Sequence, residues 1–331
     1  VGLVGMVGVG VVSMQTAAAE LDQIIYADNG VIKVGANLGR GGSIVFLSGS
    51  KGTDADNVIN AHDMGREVQL SFYDGPPFYN PPTAEYPDGA CDKLFGGQPW
   101  PWNPIGAGDV DGNRGQILEF DKHLSPTGAT TGWRLVTRPL QWACHNVSCE
   151  CTFEQNVTIA EADGVPGGTG VKIVSTLHNN RSDPTVYPPR DQELPAAYTN
   201  GAYSRLVAYN GTAPFTGGPL TEWQTGFRGP GAKGGAWIPG MFHPTEHWAA
   251  LVNEDGYGMG VINADTPTFL GGFSGPHLPG GTTDPQTGYI APVGVIQLGP
   301  KVTYSFTSYL VLGELATIRS FATQVVGPTM T

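Results

Sequence analysis

The chain has 331 residues, 40% of them hydrophobic and 14% charged, with 49 glycines, 27 prolines and a formal charge of -12. So many turn formers exclude a mainly helical protein, the lack of a glycine period excludes a collagen-like one, and 10% aromatic residues exclude general disorder. No basic stripe is present to follow a phosphate backbone, so nucleic acid is excluded as a partner, and the negative field favours a neutral glycan over a polyanionic one.

Residues 1–19, VGLVGMVGVGVVSMQTAAA, form an apolar run ending in small residues. An h-region followed by Ala-x-Ala reads as the remnant of an export signal. The other reading is a Val/Gly-rich strand donated to a neighbouring subunit, which would give self-association. The run is short and broken by glycine, so no membrane span is expected. Residues 20–331 are expected to form one domain, since all-β folds can use this length as a single unit.

Strand-like runs begin at Gly30, Ser43, Glu67, Trp133, Cys151, Val171, Ser204, Trp248 and Thr303. Several alternate apolar with polar residues, the period of a strand with one buried face. The predicted fold is all-β, a large two-sheet antiparallel sandwich. One short C-terminal helix is predicted over Glu314–Val325, from Leu315, Ile318, Phe321 and Val325 at three- and four-residue spacing and the Gly327-Pro328 stop. Segments 75–115 and 212–244 lack strand pattern and are expected to cover a site or build an interface.

Several clusters could carry chemistry. His62, Asp63 and Arg66 stand within five residues of one another before a strand, where they could polarise a sugar oxygen and move a proton. Asp63 and Arg66 could equally pair and fix a loop. Trp100, Trp102 and Asn103 offer indole faces and a polar group of the kind that stack on pyranose rings, and Trp142 could extend that surface; packing together as a rigid plug is the other reading. Asp109-Val-Asp-Gly-Asn113 begins like a calcium loop but lacks the distal glutamate. His243-Pro-Thr-Glu246-His247 matches an inverted zinc-peptidase pattern, yet Pro244 denies it the helix that chemistry needs. No metal is therefore expected, and no cofactor fingerprint is present.

Arg190, Asp191 and Glu193 are expected on a loop before a strand, where a carboxylate could act as a general base and Arg190 could hold an acidic sugar. The four cysteines, Cys91, Cys144, Cys149 and Cys151, are expected in two disulfides of an exported protein. If Cys149 and Cys151 share a strand face they are badly placed to bond each other, so each is predicted to pair with Cys144 or Cys91. Asn146, Asn156, Asn180 and Asn210 head N-glycosylation sequons, placing the chain in a secretory setting if they are used.

The succession His62-Asp63-Met-Gly65-Arg66, Trp102-Asn103-Pro-Ile-Gly-Ala-Gly-Asp109, Asn179-Asn-Arg181-Ser-Asp183 and Gln192-Glu193-Leu-Pro-Ala-Ala-Tyr198 resembles secreted proteins with the galactose-mutarotase-like supersandwich, over roughly residues 25 to 320. The resemblance implies a sandwich with a concave sugar-binding face. Mutarotases use a histidine acid and a glutamate base, and His62 and Glu193 are assigned those roles by their chemistry. The predicted catalytic group is thus His62, Arg66 and Glu193, in a secreted carbohydrate-binding or carbohydrate-active protein. The alternative is a structural subunit of an extracellular glycosylated filament or surface layer, joined through residues 1–19.

Overall fold

The computed structural model describes residues 23–62, 64–75, 91, 94–95, 98–99, 101–159, 168–223, 240–274 and 287–327. The apolar segment 1–19, Asp63 and Trp100 lie outside them.

The fold is the expected all-β sandwich. Strands β1 (Ile24–Asp28), β2 (Ile32–Asn37) and β3 (Ser43–Gly49) form an antiparallel sheet. Next come β4 (Gln69–Ser71), a ribbon of β5 (Leu94–Phe95) and β6 (Gln98–Pro99), β7 (Pro104–Ile105), β8 (Gln116–Leu124), β9 (Thr130–Arg138) and β10 (Leu140–Gln141). The long central strands are β11 (Cys151–Thr158), β12 (Gly170–Asn179) and β13 (Arg190–Asn200), followed by β14 (Arg205–Ala208), β15 (Thr221–Trp223) and β16 (Gly240–Phe242). Then β17 (Trp248–Val252), β18 (Tyr257–Asn263), β19 (Phe269–Ser274), β20 (Thr287–Ile296) and β21 (Thr303–Glu314) lead into helix α1 (Leu315–Val325).

Two large antiparallel sheets face each other. One has seven strands in the order β10-β7-β4-β13-β20-β19-β16, the other nine in the order β15-β14-β17-β18-β21-β12-β11-β9-β8. The alternation seen in the sequence decides which face is inside: on β11, Cys151, Phe153, Gln155 and Val157 are buried while Thr152, Glu154, Asn156 and Thr158 are only half-buried. The main core gathers Val34, Leu47, Trp133, Val157, Ile173, Leu251, Ile290 and Leu310 from the sheets. The small β1–β3 sheet closes one side. It is stitched on by main-chain bonds between Ile44 and Val68 in both directions and by Val58 N–H donating to Leu47 C=O.

Helix α1 forms because its apolar residues share one stripe, and it lies on the outer face of the nine-stranded sheet. Ile318, Phe321 and Ala322 pack against Trp248, Ala250, Val252, Ile262 and Val311. Those sheet residues alternate with Ala249 and Leu251, which point into the main core. This part of the sheet is therefore apolar on both faces, which the continuous run Trp248–Val252 records.

Two sequence expectations need correction. The disulfides join Cys91 to Cys144 and Cys149 to Cys151. Cys149 does not lie in β11; the chain bends at Glu150, which brings the Cα atoms of Cys149 and Cys151 to 5.0 Å, closer than two strand residues of like orientation would stand. Arg190–Tyr198, expected as a loop, belongs to β13 at the centre of the seven-stranded sheet. Proline is normally kept out of central strands, yet Pro195 stands in this one. Here the register shifts between Glu193 and Ala197, and at such a bulge the missing N–H costs no ladder bond.

Among the described residues no helix is long and apolar enough to cross a membrane. Asn146, Asn180 and Asn210 are exposed and Asn156 is half-buried on the outward side of β11.

Candidate active site

An open groove of about 480 Å³ crosses the outer face of the seven-stranded sheet. Its walls are Tyr73, Pro189, Arg190, Asp191 and Glu193 on one side and Met241, Leu270, Val293 and Val295 on the other. The β13–β20 register explains the division: Asp191 is opposite Val295 and Glu193 opposite Val293, so a polar row on β13 lies beside an apolar row on β20. Met241 and Val295 are open to solvent, at 49% and 72% exposure. The groove can thus offer hydrogen bonds and charge along one edge and aliphatic contact along the other.

Glu193 is the group best set for chemistry. The Tyr73 hydroxyl donates to its Oε1 at 3.3 Å, and the Tyr289 and Ser71 side chains stand close enough to influence its charge. Burial pushes its carboxyl above the ordinary glutamate value, and these hydroxyls offset only part of that rise. Burial, with the nearby Glu193 charge, holds the Tyr73 and Tyr289 phenols well above the ordinary tyrosine value, so both stay protonated as donors. Tyr198, tilted against Tyr289 with ring centroids 4.9 Å apart, completes an aromatic patch on this face.

The supporting residues are fixed from below. Asn103 donates from Nδ2 to Ser71 Oγ at 3.1 Å and to Phe72 C=O at 2.8 Å. Arg190 Nη2 donates to Gly75 C=O at 3.1 Å. Asp74 and Arg181 form a buried ion pair, and Arg181 also bonds to Thr185 C=O and stacks on the Tyr187 ring, so the 179–187 segment beside the groove is tied down. Burial raises the Asp74 carboxyl despite that arginine.

Arg190 and Glu193, expected from sequence, thus line one groove. His62 and Arg66 are not among its lining residues; they stand on the turn leading to β4. Glu67 organises that turn. Fully buried, it accepts from Arg40 Nη1 at 2.6 Å and from Gly65 N–H at 2.8 Å, and burial lifts its carboxyl above the usual range. Trp142 packs over Gly65 so closely that a Cβ there would stand 2.9 Å from its ring.

Trp102 requires a correction. It is 1% exposed, packed among Leu70, Phe72, Phe153 and Phe306, and offers no face for stacking a sugar. Asn103, equally buried, acts through Ser71 and has no surface to present to a ligand. The sequence reading missed Tyr73, Tyr289 and Ser71. Tyr73 and Ser71 were visible as part of the Glu67–Tyr73 run, but nothing local placed them beside a glutamate more than a hundred residues away.

The remaining motifs are structural. Asp109 accepts from the main-chain N–H groups of Asp111, Asn113 and Asn146, so the calcium-like loop satisfies itself. Glu246 of the His-x-x-Glu-His pattern is committed to Arg319 on α1. Among the described residues no cluster of three or more histidines, cysteines or carboxylates is arranged to hold a metal.

No family model and none of the curated proteins matches the chain. Among solved structures it is similar to a protein of Escherichia coli provisionally called an aldose 1-epimerase, at 12% identity and TM-score 0.48, covering 88% of this chain and 99% of that one. A galactose mutarotase-like protein of Lactobacillus casei gives 13% identity and TM-score 0.46, covering 88% and 100%. Another provisionally named aldose 1-epimerase, from Klebsiella pneumoniae, gives 12% and 0.43, covering 92% and 83%. These neighbours are of the kind the sequence resemblance named, and at such values the likeness carries no chemistry to this chain.

Proposed function

We propose that the groove over β13 and β20 binds a neutral sugar or glycan and that Glu193 moves a proton to or from it. One observation carries this reading: a carboxyl whose proton affinity is raised by burial stands in an open groove, with the Tyr73 hydroxyl donating to it and Arg190 and Asp191 along the same edge. A structural carboxylate is normally neutralised by a cation, as Glu67 and Glu246 are by Arg40 and Arg319. The hydrogen bond described for Glu193 comes instead from the Tyr73 hydroxyl. A raised carboxyl suits a group that must both accept and release a proton near neutral pH. The aliphatic side of the groove would take the C–H face of a ring while the β13 side takes its hydroxyls. The two disulfides support a secreted protein, because such bonds persist in oxidising compartments.

The test is binding and turnover on a panel of free aldoses and neutral oligosaccharides, followed by NMR of the labelled protein and of the sugar anomers. The expected result is that at least one sugar shifts the signals of groove residues and that Glu193→Gln keeps binding while losing any acceleration of anomer exchange or bond cleavage. Sugars that bind only away from the groove, or turnover that survives Glu193→Gln, would end the proposal.

A further inference from the structure

The ladder between β13 and β4 is short. It pairs Glu193 with Ser71 and Ala196 with Gln69, and continues no further toward Tyr73. On its other side the 72–75 segment is held by main chain, with Phe72 N–H donating to Pro104 C=O and Asp74 N–H to Trp102 C=O. On the β13 side its bonds come from side chains. Gln192 Oε1 accepts from Tyr73 N–H at 2.8 Å and Gln192 Nε2 donates to Tyr73 C=O at 2.7 Å, while Arg190 reaches Gly75 C=O. Gln192 is fully buried, and its Nε2 lies 3.4 Å from its own strand's Arg190 C=O as well.

A primary amide has the same donor and acceptor pair as a peptide group, so the Gln192 carboxamide can occupy the place of a missing strand residue. It adds the width of a side chain between β13 and the 72–75 segment, where direct strand pairing would leave about 4.8 Å. Held in this way, Tyr73 has its hydroxyl 3.3 Å from Glu193 Oε1. We infer that Gln192 is a positioning residue of the groove: its carboxamide grips both main-chain polar groups of Tyr73 and thereby sets the Tyr73 hydroxyl on Glu193. Gln192 lines no part of the groove and touches no ligand there; it acts through Tyr73. The inference concerns the groove of the proposed function, but its test requires no sugar.

The experiment follows the Glu193 carboxyl carbon by NMR titration in wild type, Gln192→Leu, Tyr73→Phe and the double variant, with thermal melts to confirm folding. Loss of a hydroxyl that bonds to the ionised carboxylate raises the midpoint, so Gln192→Leu and Tyr73→Phe should each shift it upward. Adding Gln192→Leu to Tyr73→Phe should shift it no further, since the coupling runs through the one hydroxyl. A midpoint unmoved by Gln192→Leu, or equal additive shifts in the double variant, would overturn the inference. Gln192→Met, which keeps the length of the side chain but loses both donor and acceptor without adding charge, stands in if the leucine variant does not fold. In the wild type itself the Gln192 Nε2 protons should exchange slowly with solvent and show contacts to Tyr73; rapid exchange would overturn it independently of any variant.

Discussion

Arg319 on the C-terminal helix meets Glu246, 73 residues earlier in the chain, through two bonds of 2.9 and 2.7 Å. The Glu246 carboxylate is fully buried and also accepts from the Trp248 indole N–H and the Phe215 main-chain N–H. Burial pushes the carboxyl up, but the arginine and the other donors outweigh it and hold it below the ordinary glutamate value. Arg319→Leu leaves a buried charge without its cation and should cost about 3 kcal/mol in a denaturant melt at pH 7. Adding Glu246→Gln should recover part of that loss.

The pH dependence of the same pair has a definite sign. A carboxyl held low in the fold contributes stability that is complete above its unfolded value and is lost as pH falls through its folded value. The difference between wild type and Arg319→Leu should therefore be greatest near neutrality and shrink on acidification below the ordinary glutamate range. A difference that grows at low pH would contradict the assignment.

Glu193 behaves in the opposite sense. Its carboxyl is raised in the fold, so the stability tied to its protonation is complete below the unfolded value and is lost as pH rises through the folded value. Glutamine imitates the protonated form. Glu193→Gln should accordingly melt a few degrees higher than wild type at pH 7 and no higher at pH 3, while turnover disappears. Such an exchange of stability for activity is expected of a group kept for its chemistry. Scanning calorimetry at the two pH values decides it.

The two disulfides should contribute unequally. Cys91–Cys144 spans 53 residues, and loop-closure entropy of that length is worth about 4 kcal/mol, whereas Cys149–Cys151 spans 2 and is worth less than half as much. Replacing Cys91 and Cys144 by serine should lower the denaturation midpoint well beyond the matching replacement of Cys149 and Cys151. Equal losses would mean that unfolded-chain entropy is not the controlling term.

The tryptophans divide core from surface. Trp102→Ala opens a cavity among Leu70, Phe72 and Phe306 and should cost about 3–5 kcal/mol. Trp142→Ala, at a part-exposed position, should cost less than half of that. Denaturant titration of the two variants measures both.

The sequence reveals the fold where one rule operates alone. Residues 151–158 alternate because the strand has one buried face, and 315–325 carries a helical stripe because it has one sheet to cover. It fails where tertiary contacts override a local rule. Pro195 argues against a strand until the bulge is seen, and Trp102 beside a proline gives the same local pattern whether exposed or buried. Glu193 and Arg190 could be picked out by chemistry from one short stretch. Their partners Tyr73, Ser71 and Tyr289 could not, because cross-strand neighbours leave no mark on spacing along the chain.

The groove is assembled from five separate parts of the polypeptide: Tyr73 beyond the end of β4, β13 at residues 190–200, Met241 on β16, Leu270 on β19 and β20 at residues 287–296. A fragment ending before residue 287 would keep Glu193 and Tyr73 yet lack Val293, Val295 and the Tyr289 ring. During synthesis, then, the site comes into being only when β20 leaves the ribosome, long after its acid has been made. No proteolytic half of this protein carries the groove, and any residual activity in a nicked sample reports halves that have stayed together.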